Sequence, residues 1–150
     1  MKKIILPVRF GLVTSAVLIA YFLFLALFNK HTNPVFSFFN AVITAIGIYE
    51  AIRLYKLEQG DEFTYTSGFS TGIITGLTAT IVFTIFFLFY STEINTDFLT
   101  KLLKTMNGGF DINAGMVTFV VAIMGVATTV VATLTIMQLF KNSGNSSQKK

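Results

Sequence analysis

From Phe10 to Phe28 the chain reads FGLVTSAVLIAYFLFLALF, a run of apolar and small residues that contains no charge. An α-helix rises about 1.5 Å per residue, so the run spans about 29 Å, the thickness of the hydrocarbon core of a bilayer. Lys2, Lys3 and Arg9 precede it. The run therefore predicts a first transmembrane helix.

Three further apolar stretches have comparable length. They cover about residues 35–54, 67–90 and 114–140. The last is longer than a bilayer requires, so we expect it to tilt or to protrude. Together with about residues 10–28, these stretches predict an all-α polytopic membrane protein whose transmembrane domain is a four-helix bundle over residues 1–141.

The composition agrees with a membrane protein and disagrees with a soluble one. Of the 150 residues, 53% are hydrophobic and only 12% are charged, whereas average globular chains carry about 25% charged residues. The net charge is +4, but the basic residues flank apolar segments, so they indicate topology rather than nucleic-acid binding. The absence of cysteine rules out disulfides and thiolate metal sites. The expected partner is the lipid bilayer.

The distribution of basic residues predicts the orientation. With the N-terminus in the cytoplasm, eight of the eleven basic residues fall in cytoplasmic segments. These are Lys2, Lys3, Arg9, Arg53, Lys56, Lys141, Lys149 and Lys150. Short cytoplasmic loops carry such an excess, so we expect both termini in the cytoplasm.

A short amphipathic helix is predicted at about residues 96–107, between the third and fourth spans. Its apolar positions share one face, and they are Phe98, Leu99, Leu102, Leu103 and Met106. Lys101 and Lys104 fall on the other side. The pattern fits a helix at the membrane surface and equally a helix packed on the end of the bundle. The polar tail, residues 142–150, is predicted to be disordered.

Small residues mark the third span. Gly68, Gly72 and Gly76 recur every four residues and so share one helix face. The fourth span offers a matching row in Gly125, Thr129 and Thr133, and the first and second spans offer rows of small residues as well. Such rows let helix backbones approach closely in lipid. We favour packing within one bundle, because four helices in one chain already need small faces. A homodimer interface or a flexible gate is the alternative.

Three polar residues in or near the apolar runs are candidate sites at the membrane edge. Glu50 and Arg53 lie three residues apart on one helix face and are expected to form an ion pair. We favour this structural role over a transport or proton site. Asn40 is expected to form an interhelical hydrogen bond. The other spans carry no charge in their interiors, which argues against a charge-coupled transporter.

The sequence predicts no catalytic, metal or cofactor site. His31, the single histidine, falls in a loop and is expected to be exposed and incidental. Glu58, Asp61 and Glu62 could bind a cation, but a solvated charge cluster explains them more simply. No nucleotide-binding or nucleophile motif occurs.

The stretch GDEFTYTSGFSTGIITG, residues 60–76, resembles a segment of a family of short bacterial membrane proteins, domain of unknown function 4199. Members are similar in length and in the basic end of the second span. They also carry an acidic and amphipathic stretch after the third, like residues 97–99 here. The chain departs from many members at residues 67–70, where they show a more polar run with a basic residue. The resemblance implies a four-helix protein of the bacterial inner membrane and no assigned activity.

Three functions follow as hypotheses. The first is a non-enzymatic accessory or assembly subunit of a membrane complex, because packing surfaces are plentiful and reactive groups are scarce. The second is a small homo-oligomeric permease or channel. That hypothesis requires a shared polar face formed by Asn40, Thr44, Thr75, Thr78 and Thr128. The third is a lipid-modifying enzyme that uses the acidic loop.

Overall fold

A computed structural model of the chain describes residues 2–31, 33–106 and 113–141. All regular secondary structure in these ranges is helical, which confirms the predicted fold class. The helices are α1 (Lys2–Leu27), α2 (Pro34–Gln59), α3 (Tyr65–Phe89), α4 (Thr96–Met106) and α5 (Ala114–Leu139). A 3₁₀ turn (Gly60–Glu62) follows α2 and a π-helical turn (Tyr90–Ile94) follows α3. The predicted disordered tail lies outside the described residues.

Four of these helices, α1, α2, α3 and α5, are long and apolar enough to cross a membrane. The short α4 separates α3 from α5, as the amphipathic pattern predicts. The protein is therefore a multi-pass membrane protein.

Local sequence explains where the helices begin and end. The Asn33 side chain accepts a hydrogen bond from the Val35 N–H, at 3.0 Å, and so caps α2. Thr64 and Ser67 form a reciprocal capping box at the start of α3. Gly60 ends α2 with a φ of +53°, a conformation that glycine adopts without strain.

The helices α2 and α3 form the centre of the bundle. Each of them contacts α1, α5 and the other. The chain direction alternates from one span to the next, so α1 and α3 begin at the end of the bundle where α2 and α5 finish. We call this the terminal end, and the opposite end, which carries the α1–α2 loop and α4, the distal end.

The bulky core residues form two clusters, one at each end of the bundle. The distal aromatic cluster consists of Phe22, Phe87, Tyr90 and Phe98. The terminal cluster consists of Ile48, Ile52, Ile136 and Met137. Between them the helices meet through small residues, as described below.

Helix register places the charged residues at one level across the bundle. A Cβ on Gly47 would meet the Thr14 side chain, so these two positions are level in the antiparallel pair α1 and α2. If the same number of residues is counted from Thr14 and from Gly47 toward the terminal end, Arg9 is level with Ile52, which is next to Arg53. About 20 residues, or about 30 Å, in the other direction reach the α1–α2 loop. One bilayer thickness therefore fits between the two arginines and that loop, and the helices extend about 10 Å past the arginines.

Candidate functional site

The four predicted packing glycines lie along the contact between α3 and α5. Gly72 faces Thr133, and a Cβ at Gly72 would lie 2.6 Å from the Thr133 Cγ2. Gly76 faces Thr129 in the same manner, and Gly125 faces Thr80 from the other helix. Gly68 completes the row against Met137 and Phe63. We call this row the glycine–threonine seam, and it lies within one chain.

Threonine hydroxyls along the spans bond mainly to their own helices. The Oγ1 atoms of Thr44, Thr78 and Thr129 donate to the carbonyl oxygens four residues earlier, at 2.7–2.8 Å. Thr75 does the same and also donates across to the Pro7 carbonyl oxygen of α1, at 3.2 Å. These four hydroxyls are therefore satisfied within the bundle, whereas the buried Thr133 Oγ1 has no hydrogen-bond partner among the described residues. The threonine methyl groups of the seam fill the space over the glycines.

Asn40 does not match its prediction. Its Oδ1 atom is buried and has no hydrogen-bond partner in the part of the chain that the structure describes, so the expected interhelical bond is absent there. The nearby Thr44 hydroxyl donates to the backbone carbonyl of Asn40 instead of to its side chain. Thr84 Oγ1 is also buried without a partner among these residues.

The predicted ion pair between Glu50 and Arg53 forms, with Arg53 Nη1 3.3 Å from Glu50 Oε2. Both side chains point away from the bundle, since Arg53 is 56% exposed and Glu50 is 44% exposed. An exposed pair with this spacing contributes about 0–1 kcal/mol to stability. The ion pair therefore lies on the outer surface of α2 and stabilises the bundle little.

His31 is half-buried, whereas the sequence predicts an exposed residue. Its imidazole stacks on the Phe98 ring of α4 and meets the rings of Phe22 and Tyr90 edge-on. Both ring nitrogens are buried and lack a hydrogen-bond partner among the described residues. Burial lowers the pKa of His31, and the nearby positive charge of Lys101 lowers it further. The arrangement favours the neutral imidazole.

Aromatic rings also surround a charge at the terminal end. The Lys56 Nζ lies 5.6 Å from the ring centroid of Phe63, in the α2–α3 loop, and 5.4 Å from that of Phe140, which follows α5. Phe63 also contacts the ring of Tyr55, and Phe140 that of Tyr49. Lys56 therefore joins the loop and the end of α5 to α2.

The acidic loop shows no metal-binding arrangement. Asp61 and Glu62 occupy the 3₁₀ turn and are exposed, and Glu58 is exposed at the end of α2. Within the described ranges, no group of three His, Asp or Glu side chains is placed to hold a metal ion.

An open apolar groove of about 650 Å³ runs along the distal half of α1. Its lining residues are Ala20, Leu23, Phe24, Ala26, Leu27 and Tyr90. The small side chains of the two alanines leave the space, and Tyr90 connects the groove to the distal aromatic cluster.

Comparison with family models gives a match over most of the chain. A family model described as "Protein of unknown function (DUF4199)" matches residues 9–142, which include most of α1 and all of α2, α3, α4 and α5. No curated protein and no solved structure matches the chain.

Proposed function

The chain belongs to the DUF4199 family of proteins of unknown function, and from this premise we propose that it is a non-enzymatic accessory or assembly subunit of a membrane complex. One observation carries the proposal. Most threonine hydroxyls of the spans bond within the chain, while large apolar side chains cover most of the outward surface. The chain thus presents extensive lateral surfaces for another membrane protein and few groups able to carry out a reaction.

The outward surface of α5 illustrates this division. Thr129 and Thr133 are fully buried against α3, whereas the opposite side exposes large apolar residues. They include Met116, Phe119, Ile123, Met124 and Val131. α1 and α3 are built in the same way, with exposed residues such as Val17 on α1 and Ile85 on α3.

The permease hypothesis has weaker support. Its path requires Asn40, Thr44, Thr75, Thr78 and Thr128 to share one lumen. Thr75 and Thr78 instead lie at the contact of α3 with Gly11 of α1, and their hydroxyls bond to backbone carbonyls. The hypothesis of a lipid-modifying enzyme depends on the acidic loop. It also has weaker support, because the three carboxylates of that loop are exposed and do not form an enclosed site.

We further propose that the protein lies in the bacterial inner membrane with both termini in the cytoplasm. The terminal end carries Arg9, Arg53 and Lys56, in agreement with the excess of basic residues in cytoplasmic segments. Reporter fusions after Phe28, Lys56, Lys104 and Lys150 test the proposal. Cytoplasmic reporters should be active after Lys56 and Lys150, and periplasmic reporters after Phe28 and Lys104. An active periplasmic reporter after Lys150 would overturn it.

Photo-cross-linking in native membranes tests the accessory function. Benzoylphenylalanine replaces one exposed residue on each span, namely Val17, Ile46, Ile85 or Ile123. Phe87, which is 5% exposed and already carries an aromatic ring, provides the buried control. We expect at least one exposed position to form an adduct with a different membrane protein, identified by mass spectrometry, and the control to form none.

A different outcome would contradict the accessory function. If every exposed position yields only lipid adducts or self-adducts, and mild detergent releases the chain without another protein at native expression level, the accessory function is wrong.

A further inference from the structure

The outward face of α2 differs from those of the other spans because it carries both members of an ion pair. Glu50 lies three residues, or about 4.5 Å of helix rise, deeper in the bilayer than Arg53, whose level marks the membrane edge. Charged side chains in spanning helices normally face the bundle interior or a water-filled cavity. Here both point outward. The long Arg53 side chain can reach the headgroups alone, whereas the shorter Glu50 depends on a partner.

The pair belongs to a continuous line of exposed side chains. Successive members are three or four residues apart and follow one side of α2 along its length. They are Val35, Phe38, Val42, Ile46, Glu50, Arg53 and Leu57. The remaining sides of α2 contact α1, α3 and α5. This line, which we call the α2 face, is therefore the side of a central helix left open by the bundle.

We propose that the α2 face binds the α2 face of a second copy of this chain, with Glu50 of each copy paired to Arg53 of the other. A two-fold axis normal to the membrane places identical residues of both copies at equal depth. About 4.5 Å of helix rise separates the two charges, which is within reach of a cross-pair between adjacent helices. The same operation forms the reciprocal pair. The face is thus self-complementary and electrically neutral.

Charge complementarity is the reason for choosing a second copy as the occupant. A different protein would need a matching acid and base at the same two depths, whereas a second copy supplies them by symmetry. Dimerisation also converts one exposed pair, which contributes little by itself, into a network of four charges with less water around it. Val42 and Ile46 then pack deeper in the same contact.

Disulfide cross-linking in membranes tests the contact directly, because the chain has no cysteine of its own. Ile46→Cys, at a position 58% exposed on the α2 face, should give a covalent dimer on mild oxidation. Val131→Cys, at a position 63% exposed on α5, is the matched control. We expect a several-fold excess of dimer for Ile46→Cys. Equal yields at the two positions, or no dimer at Ile46→Cys, would overturn the proposal.

Charge exchange tests the reciprocal pairing. Glu50→Arg makes the face entirely basic and Arg53→Glu makes it entirely acidic, so each variant should lose self-association. Differently tagged copies of the two variants should co-purify with each other. The double variant E50R/R53E should again pair with itself.

One outcome of the charge exchange would contradict the reciprocal pairing of Glu50 and Arg53. Self-association of E50R equal to that of the wild type would show that the charges do not meet across an interface. If a charge variant fails to insert, the cysteine pair still decides, because Ile46→Cys and Val131→Cys leave both charges intact.

Discussion

The imidazole of His31 lies face to face with the ring of Phe98, with centroids 4.8 Å apart and planes inclined by 18°. His31 belongs to the α1–α2 loop and Phe98 to α4, so the stack joins two segments that are distant in the sequence. Phe22 and Tyr90 complete the surroundings from α1 and the π-helical turn. The contact fixes α4 against the distal end of the bundle.

Acid should weaken this contact. Burial, with the charge of Lys101, lowers the pKa of His31 in the folded protein, whereas the unfolded chain keeps the ordinary value of about 6.5. Above a pH of about 6.5, His31 is neutral in both the folded and the unfolded state, so its titration causes no loss of stability. As the pH falls through that value, the unfolded state takes up the proton first, so stability is lost until the folded state is also protonated. Thermal unfolding and hydrogen exchange of α4, measured between neutral pH and the acidic side of this range, should show the loss.

His31→Phe provides the control for the acid effect. The variant keeps an aromatic ring against Phe98 but cannot take up a proton, so the protection of α4, measured relative to the intrinsic exchange rate at each pH, should be the same at both pH values. An equal acid response in this variant would assign the effect to other groups.

Phe98→Ala should release α4 while the spans stay folded. Phe98 is 1% exposed and contacts Phe22, Phe87 and Tyr90. Removing a buried phenylalanine costs about 3–5 kcal/mol, and here the loss falls on one short helix. Hydrogen exchange should accelerate in α4 and remain slow in α3. Thr100→Ala, at an exposed position, should leave both unchanged; equal protection of α4 in the two variants would contradict the docking contact.

A methyl group in the glycine–threonine seam should destabilise the bundle. The Cβ of Gly72→Ala would lie 2.6 Å from Thr133 Cγ2 and 3.0 Å from Ile52 Cδ1, so α5 must move away from α3. Overpacking of this kind costs about 1–3 kcal/mol. Unfolding in mixed micelles should show this loss, and it should shrink when Thr133→Ala is added.

Gly115→Ala is the matched substitution outside the seam. Gly115 is exposed near the start of α5, and its added Cβ would meet only Asn113 Oδ1, at 3.3 Å. Alanine favours a helix over glycine by about 1 kcal/mol, so stability should hold or rise. A loss equal to that of Gly72→Ala would show that the cost does not arise from the seam.

The four spans and the short helix were predictable because length and hydropathy are local properties of the sequence. The spacing of Gly68, Gly72 and Gly76 likewise gave the packing face of α3. It could not give the partner, since a row of small residues fits any helix with matching threonines. Only the three-dimensional register places Thr129 and Thr133 opposite these glycines.

The burial of His31 could not be predicted from the sequence for a different reason. The rings that surround it come from residues 22, 90 and 98, so no local pattern reveals its burial. Asn40 shows the same limit, because a polar residue in a span predicts a hydrogen bond without showing whether a donor is within reach. The outward direction of Glu50 and Arg53 also depended on the placement of the other three spans.

Loss of the Lys56 charge should loosen the terminal end. Its ammonium group lies within 6 Å of the Phe63 and Phe140 rings, and each such contact contributes about 0.5–1 kcal/mol at an exposed site. Lys56→Met keeps the apolar stem and removes the charge, so proteolysis of the α2–α3 loop should accelerate. Lys56→Arg keeps the charge, and its guanidinium stacks on aromatic rings, so it should protect the loop as lysine does. Loop proteolysis of Lys56→Met equal to that of the wild type would mean that the lysine stem, and not its charge, holds Phe63 and Phe140 in place.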